Sequence, residues 1–156
     1  MSIRAYTQID FPWIADIYDR SKLDELKYED KTFTLLPLEK DETRFRELME
    51  SEIFVYQSQD QISGFGAIYG NEIRALFVHP DFRGDGIGKK LIEFLLLNAQ
   101  GQAHLFVAST NQPAKSLYQR YGFSVSDTFE TTYNKMTVMA QKMVCKAAAK
   151  NIRSVN

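Results

Sequence analysis

A short stretch rich in glycine and basic residues carries the most suggestive chemistry in this sequence. It reads Arg83-Gly84-Asp85-Gly86-Ile87-Gly88, continues with Lys89 and Lys90, and leads into an apolar segment with helical spacing. The first N–H groups of a helix have no partner inside the helix and lie at the positive end of its dipole. Glycines at three alternate positions let a phosphate approach the main chain without meeting a Cβ atom. The stretch predicts a phosphate site, with diphosphate as the natural ligand; a turn that needs glycine only for its backbone angles is the alternative.

Spacing separates this stretch from two other phosphate loops. A P-loop requires Gly-Lys-Ser/Thr after four intervening residues, whereas Gly88 and Lys89 are followed by Lys90, which has no hydroxyl for magnesium. A dinucleotide-binding fold shows Gly-x-Gly-x-x-Gly after an early strand, and here the glycines alternate after the fourth predicted strand. Kinase, NTPase and dinucleotide-binding functions are therefore disfavoured.

The stretch closely resembles the acyl-CoA-binding signature of the GNAT superfamily of N-acetyltransferases, Arg/Gln-x-x-Gly-x-Gly/Ala. Residues 76–96, LFVHPDFRGDGIGKKLIEFLL, are similar to the fourth strand and third helix of that family, and residues 111–123, NQPAKSLYQRYGF, are similar to its next motif. Two linked motifs are more specific than one. The order of elements predicted from residue 2 to residue 144 also resembles the family fold.

The resemblance implies acetyl-CoA as co-substrate and assigns residues to its parts. The pyrophosphate would lie on the amides of Gly84 to Gly88, that is Gly84, Asp85, Gly86, Ile87 and Gly88, with Arg83 and Lys89 beside it. The pantetheine arm would pair with the main chain near Phe77 and Val78, whose N–H groups would also serve the oxyanion. Asn111 would contact the pantetheine amides or cap its helix, and the two roles are compatible.

Two side chains are candidates for the proton transfers that direct attack of an amine on a thioester requires. Tyr118 stands two helical turns after Asn111, on the same face, and matches the family tyrosine that protonates the departing thiolate; a core tyrosine is the alternative. Glu72 opens a strand where several family members carry a catalytic glutamate. Its alternatives are a solvated glutamate or a salt bridge with Arg74, which with Leu76 is expected to share its face by strand alternation.

The acceptor is expected to be a primary amine of unidentified structure. In the family it enters between the first two helices and the last strands, here residues 19–40 and the hairpin around ETTYNKM. Five acidic residues of the first region would attract a cation: Asp19, Asp24, Glu25, Glu29 and Asp30. Three aromatic residues would form an apolar wall: Tyr28, Phe33 and Tyr133. Residues 1–60 carry 14 acidic and 8 basic side chains, and residues 61–156 carry 6 and 11, which fits a cationic and an anionic ligand or two solvated surfaces.

The elements that would position these residues alternate along the chain. Strands are predicted over 2–6, 52–57, 61–70, 71–80 and 103–109 and near 123–130 and 135–144. Helices are predicted from Asp10, as a cap, through Leu26 with Trp13, Ile14, Ile17 and Tyr18 on one face, over 38–51, over 86–98 and over 111–122. The predicted class is α+β: a single GNAT-like domain at 1–145, with a mixed, mostly antiparallel sheet of about seven strands and about four helices, and a frayed tail at 146–156.

Composition bounds the remaining possibilities. The 156 residues are 44% hydrophobic, enough for one domain core, and no signal peptide or membrane span is recognised. One cysteine and two histidines offer no zinc spacing, so no metal is expected. We expect a cytoplasmic monomer or homodimer that binds neither nucleic acid nor membrane. A non-catalytic acyl-CoA sensor on the same fold and a nucleotide-phosphate module remain as alternatives to the N-acetyltransferase.

Overall fold

The computed structural model describes residues 2–146, so most of the predicted tail at 146–156 lies outside the described residues. Seven strands form one sheet: β1 (Ser2–Ala5), β2 (Glu52–Ser58), β3 (Gln61–Tyr69), β4 (Glu72–Val78), β5 (His104–Ala108), β6 (Phe123–Tyr133) and β7 (Met136–Cys145). Four α-helices accompany them: α1 (Phe11–Ser21), α2 (Glu42–Met49), α3 (Ile87–Asn98) and α4 (Gln112–Arg120). The α+β class, with about seven strands and four helices, is confirmed.

The sheet is mostly antiparallel, as predicted. Its strand order is β1-β2-β3-β4-β5-β7-β6, and the parallel neighbours are β4 and β5. Within the described residues, the register of β4 and β5 contains one pair, Glu72 with His104, at the start of both strands. Further along, the two strands no longer pair, and their main-chain edges face an opening in the middle of the sheet.

A β-bulge in β4 overturns one expectation from the sequence. Ala67 lies opposite Ala75, but the next residue of β3, Ile68, lies opposite Ile73, so that Arg74 is an extra residue in β4. Arg74 therefore extends towards α2, where it bonds to the carbonyl oxygen of Glu47, while Leu76 packs against the cluster at the start of α3. Strand alternation had predicted that Arg74 and Leu76 share a face, and this is wrong because a bulge shifts the alternation.

Two main clusters of buried side chains cover the two faces of the sheet. One lies under α1 and α2 and includes Ile14, Ile17 and Phe65, and the other lies under α3 and α4 and includes Leu95 and Met143. Three of the four residues predicted for the buried face of α1 are buried, but Trp13 is 41% exposed.

The ends of α1 also differ from the prediction. The carboxylate of Asp10 binds Arg4 and the N–H of Thr7 instead of capping α1. At the other end the helix stops at Ser21 and continues as a 3-10 turn over Lys22–Leu26. This turn brings acidic residues over the opening between β4 and β5.

The start and end of α4 agree with the sequence. The Asn111 side chain accepts the N–H of Ala114 at 3.4 Å, Pro113 lies in the first turn, and Gly122 follows the helix with a φ of 92°. These local signals fix the direction in which Tyr118 extends. Within residues 2–146, no helix has the length and apolarity needed to cross a membrane.

Candidate active site

Two clefts meet at the opening between β4 and β5. The loop cleft is lined by side chains and main chain from four segments: Ser21, Asp24, Glu25, Lys27 and Tyr28 after α1, 76–78 at the end of β4, 82–89 apart from Asp85, and Asn111, Pro113, Ala114, Leu117 and Tyr118 of α4 and its cap. The α2 cleft lies on the other side and is lined by residues of α1, α2, β4 and β5. Four residues line both clefts: Glu25, Leu76, Phe77 and Tyr118. A ligand in one cleft can therefore reach a ligand in the other at these residues.

The glycine-rich stretch forms a turn with open main-chain donors. Gly84 and Gly86 have φ values of 95° and 79°, and apart from their chain neighbours no described residue comes within 4 Å of where a Cβ atom would lie at either position. The first hydrogen bond of α3 runs from Lys90 N to Gly86 O, and no side chain in the described part of the chain caps the helix. The preceding amides of Ile87 and Gly88 thus have no intrahelical acceptor and lie in the lining of the loop cleft. This arrangement suits a diphosphate.

The charged residues of the glycine-rich stretch differ in their position relative to the loop cleft. Arg83 donates through Nε to Val78 O at 3.2 Å and through Nη1 to Asp24 Oδ2 at 2.6 Å, so it joins the 3-10 turn after α1 to the end of β4. Lys89 is exposed and lines the loop cleft. Asp85 is exposed and lies outside the lining of the loop cleft, so its contact with a ligand stays a prediction.

The ladder between β3 and β4 decides which main-chain groups face the opening. His79 N donates to Ser63 O at 2.8 Å, and hydrogen-bonded pairs recur at every second residue of an antiparallel ladder. The N–H and C=O of Phe77 therefore point to β3, whereas those of Leu76 and Val78 point towards β5. Of the two residues predicted to supply donors, Val78 therefore has its N–H towards β5 and Phe77 does not, while the Phe77 side chain is buried. Contact of either residue with a ligand stays a prediction.

Tyr118 and Asn111 lie on the α4 side of the loop cleft, as their spacing predicts. Burial raises the pKa of the Tyr118 hydroxyl well above its usual value, and the nearby Glu25 carboxylate raises the pKa further. The phenol consequently keeps its proton at neutral pH and can donate it. Asn111 is buried and caps α4, which leaves its contact with a ligand as a prediction.

Glu72 lies in the α2 cleft rather than in the loop cleft. One of its carboxylate oxygens, Oε1, accepts from Arg74 Nε at 3.3 Å, and Arg74 Nη1 also donates to Glu50 Oε1 at 2.6 Å. Burial alone would lower the pKa of the Arg74 guanidinium. The carboxylates of Glu50 and Glu72 together have the larger effect, so the pKa is raised. The salt bridge that the sequence left open between Glu72 and Arg74 is therefore present.

The predicted apolar wall for the acceptor is wrong for two of its three aromatic residues. Phe33 and Tyr133 are packed together in a buried cluster, where the Tyr133 hydroxyl accepts the N–H of Leu36 at 2.8 Å. Tyr28 is 45% exposed and lines the loop cleft. The hairpin between β6 and β7 closes on the 32–36 segment, and this long-range packing leaves no slot between them for these rings.

Several lining residues were not identified from the sequence. Ser21 Oγ donates to Val78 O at 3.3 Å, and Leu117 and Ala114 form the α4 wall of the loop cleft. Helical spacing from Asn111 and Tyr118 could have indicated the two α4 residues, since they lie on the same side of that helix. The path of the 3-10 turn over the opening has no such local signal. Among residues 2–146 no group of three potential metal ligands is brought together.

Comparison with known proteins agrees with this geometry. Residues 49–125 match the family model of the acetyltransferase (GNAT) domain. The match identifies a GNAT domain within this chain. One relative is the peptidyl-lysine N-acetyltransferase YjaB of Salmonella typhimurium, which is 40% identical over 72 residues, or 46% of this chain and 49% of that protein. The chain thus matches the curated bacterial relatives over about half of their length.

Solved GNAT structures match over nearly the whole chain. The solution structure of apo-form YjaB from Escherichia coli has a TM-score of 0.70 and 25% identity, over 94% of this chain and 98% of that one. A GCN5-related N-acetyltransferase from Rhodopseudomonas palustris has a TM-score of 0.76 at 20% identity, over 94% and 95% of the two chains. At that identity the second match concerns the fold alone.

Proposed function

We propose that this GNAT protein transfers the acetyl group of acetyl-CoA to a primary amine. The observation that carries the proposal is the meeting of the two clefts at Tyr118 and the end of β4. The loop cleft has the uncapped amides that a diphosphate requires, and the α2 cleft opens onto the same point from the other side of the sheet. A thioester and an amine held in the two clefts would meet there.

Binding of the co-substrate is assigned to main-chain groups. The amides from Gly84 to Lys89 would hold the pyrophosphate, because they lack acceptors and the glycines leave them accessible. The edge groups of Leu76 and Val78 would pair with the pantetheine amides. The Val78 carbonyl already accepts from Arg83 and Ser21, so its N–H and the groups of Leu76 would make these contacts.

The proposed reaction is direct attack, with no acyl-enzyme. The amine nitrogen forms a bond to the acetyl carbon, the carbon–sulfur bond breaks, the amine loses a proton and the departing thiolate gains one. Tyr118 is the proposed proton donor to sulfur, because its raised pKa keeps it protonated. The Val78 N–H is the proposed donor to the developing oxyanion, since it points into the opening. Cys145 is buried away from both linings and needs no role.

Glu72 is the proposed acceptor of the amine proton. Arg74 holds Oε1, and this contact would orient the carboxylate so that its other oxygen faces the cleft. A water molecule between Glu72 and the amine would serve the same transfer. The salt bridge to Arg74 makes an orienting role for Glu72 the alternative.

The proposed acceptor is the ε-amine of a lysine side chain. Several curated relatives carry the name peptidyl-lysine N-acetyltransferase, and the α2 cleft is open enough at its rim for a side chain to enter, since Phe106 there is 48% exposed. The predictions of a monomer or homodimer and of a cytoplasmic location stay predictions.

Thermal stabilisation separates the proposal from its two alternatives. CoA and acetyl-CoA should raise the unfolding midpoint, and desulfo-CoA should do so nearly as well, because pyrophosphate and pantetheine supply most contacts. Equal protection by ADP, CoA and desulfo-CoA would indicate a nucleotide-phosphate module, because the three compounds share only the adenosine diphosphate group. Protection by acetyl-CoA without release of CoA to any primary amine would indicate a non-catalytic sensor.

A further inference from the structure

Every basic side chain in the lining of the α2 cleft already has an acidic partner. Three ion pairs account for them: Lys22 Nζ with Glu25 Oε1 at 2.7 Å, Arg44 Nη1 with Asp41 Oδ2 at 3.2 Å, and Arg74 Nη1 with Glu50 Oε1 at 2.6 Å. Arg74 has Glu72 as a second partner. The described residues therefore leave no cation in this lining free to bind a carboxylate on an acceptor.

Among the acidic residues of this lining, Glu25 and Glu72 have basic partners, and Glu47 has none within residues 2–146. It lies on the last turns of α2 and is half-buried, and its main-chain carbonyl accepts from Arg74 and from Ser51. Its own carboxylate has neither an ion pair nor a hydrogen bond among residues 2–146. The carboxylate is therefore available to pair with an ammonium group that enters the cleft, through charge-assisted hydrogen bonds.

The Tyr18 hydroxyl is a second group in the same cleft without a partner. Tyr18 is 5% exposed, its ring packs on Phe77 with centroids 5.2 Å apart, and its hydroxyl oxygen is buried with no hydrogen bond among the described residues. Burial raises the pKa of this phenol, so the hydroxyl is neutral and can accept an N–H as well as donate. A buried hydroxyl without a partner costs stability unless a ligand satisfies it.

We propose that Glu47 and the Tyr18 hydroxyl bind the amino group of the acceptor, and that they select alkylammonium groups without a neighbouring carboxylate. Glu47 would pair with the ammonium as it enters, and Tyr18 would accept one N–H and thereby orient the nitrogen. A lysine side chain and an alkylamine fit this site. A free α-amino acid does not, because its carboxylate would meet Glu47 and find no unpaired cation. The inference rests on the proposed function only for the identity of this cleft as the acceptor site.

Calorimetry on the CoA-saturated protein tests the inference without requiring turnover. Wild-type protein should bind Nα-acetyl-lysine methylamide at least about tenfold more tightly than glycine, since one charge-assisted hydrogen bond corresponds to about that factor. Glu47→Gln should weaken binding of the lysine compound by about tenfold. Glu42→Gln, on the exposed first turn of the same helix, removes the same charge outside the lining and should leave that binding unchanged.

Tyr18→Phe separates ligand binding from folding. Because the hydroxyl has no hydrogen-bond partner within residues 2–146, its removal should leave the unfolding midpoint unchanged or raise it, while binding of the lysine compound falls about threefold or more. If Tyr18 had only a structural role, its replacement would lower the unfolding midpoint and leave binding of the lysine compound unchanged. Equal binding by wild type and Glu47→Gln, tighter binding of glycine, or no binding of the lysine compound to the wild type would each overturn the inference.

The two proposals can fail separately. If the lysine compound binds with the expected dependence on Glu47 but acetyl-CoA releases no CoA in its presence, the binding site stands and the acetyl transfer is wrong. If CoA is released with wild-type KM and kcat in Glu47→Gln, the transfer stands and the acceptor site is elsewhere.

Discussion

Glu72 of β4 lies opposite His104 of β5, and the pairing of these parallel strands extends no further in the described part of the chain. The pair closes the sheet at one end of the opening in which the two clefts meet. Burial lowers the pKa of His104, although Glu72 acts in the opposite direction, so the imidazole is neutral at pH 7. Past this pair, the main chain of β4 is available to a ligand instead of to a neighbouring strand.

Replacement of Gly86 by valine should abolish binding of CoA and leave a folded protein. Valine disfavours the positive φ by about 1–2 kcal/mol, and its side chain would occupy the approach to the α3 amides. Gly70→Val is the matched control, because Gly70 has a φ of 64° and equally open surroundings but lies in the β3–β4 turn. Calorimetric titration with CoA should show loss of binding in the first variant alone; comparable affinity in both would rule out the phosphate site.

Removal of the Tyr118 hydroxyl should slow turnover while CoA affinity is retained. Tyr118→Phe loses the proposed proton donor, and such a loss typically costs ~10²-fold or more in kcat. Tyr121→Phe is the control on the same segment, because its hydroxyl binds Glu93 at 2.7 Å outside both linings. It should lower stability but not kcat. A Tyr118→Phe variant with wild-type kcat would reduce Tyr118 to a packing residue.

The same assignment has a consequence for pH. A phenol donates its proton only below its pKa, and the Tyr118 pKa is raised above its usual value of about 10. The kcat of the wild type should therefore show no decrease attributable to Tyr118 between about pH 7 and pH 10. A decrease in this range that disappears in Tyr118→Phe would contradict the assignment.

Glu72→Gln should lower kcat by ~10²-fold or more if Glu72 accepts the amine proton. The control is Glu50→Gln, which removes the other carboxylate partner of Arg74 and leaves Glu72 in place. Steady-state kinetics at saturating amine should show the large loss in Glu72→Gln only. Similar small losses in both variants would mean that Glu72 serves to hold Arg74.

Local signals in the sequence determined much of this fold. The cap at Asn111 and the stop at Gly122 each depend on a few neighbouring residues, and both were predicted. Features that depend on distant contacts were not. The ion pair of Arg83 with Asp24 joins residues 59 positions apart, and no local pattern encodes it.

Misplaced residues in the acceptor region have the same physical origin. The bulge at Arg74 reverses which side chains of β4 share a face, and a sequence pattern of period two cannot register one extra residue. Phe33 and Tyr133 were expected at an open wall, but they bury each other because the hairpin folds back on a segment about 100 residues earlier. The two groups proposed for the acceptor, Glu47 and Tyr18, became visible only when their lack of partners was known.

Acidification should destabilise the protein through Asp10. The bond from Arg4 is the main cause that holds the pKa of this buried carboxyl below its usual value. The stabilisation is therefore present above the unfolded pKa near 4 and is lost as the pH falls through the lower folded pKa. Asp10→Asn should cost about 2 kcal/mol at pH 7 and should lack that part of the acid dependence. The control is Asp16→Asn, which breaks an exposed pair with Arg20. Its free energy of unfolding in urea should differ little from that of the wild type, both at pH 7 and below the unfolded pKa near 4.

The most direct test of the central proposal is transfer itself. Wild-type protein, acetyl-CoA and Nα-acetyl-lysine methylamide should yield free CoA, measured as thiol, and an equal amount of the ε-acetylated compound, measured by mass spectrometry. Tyr118→Phe should reduce both rates together by ~10²-fold. Release of CoA with no acetylated amine, or protection by acetyl-CoA with neither product over a panel of primary amines, would contradict acetyl transfer to an amine.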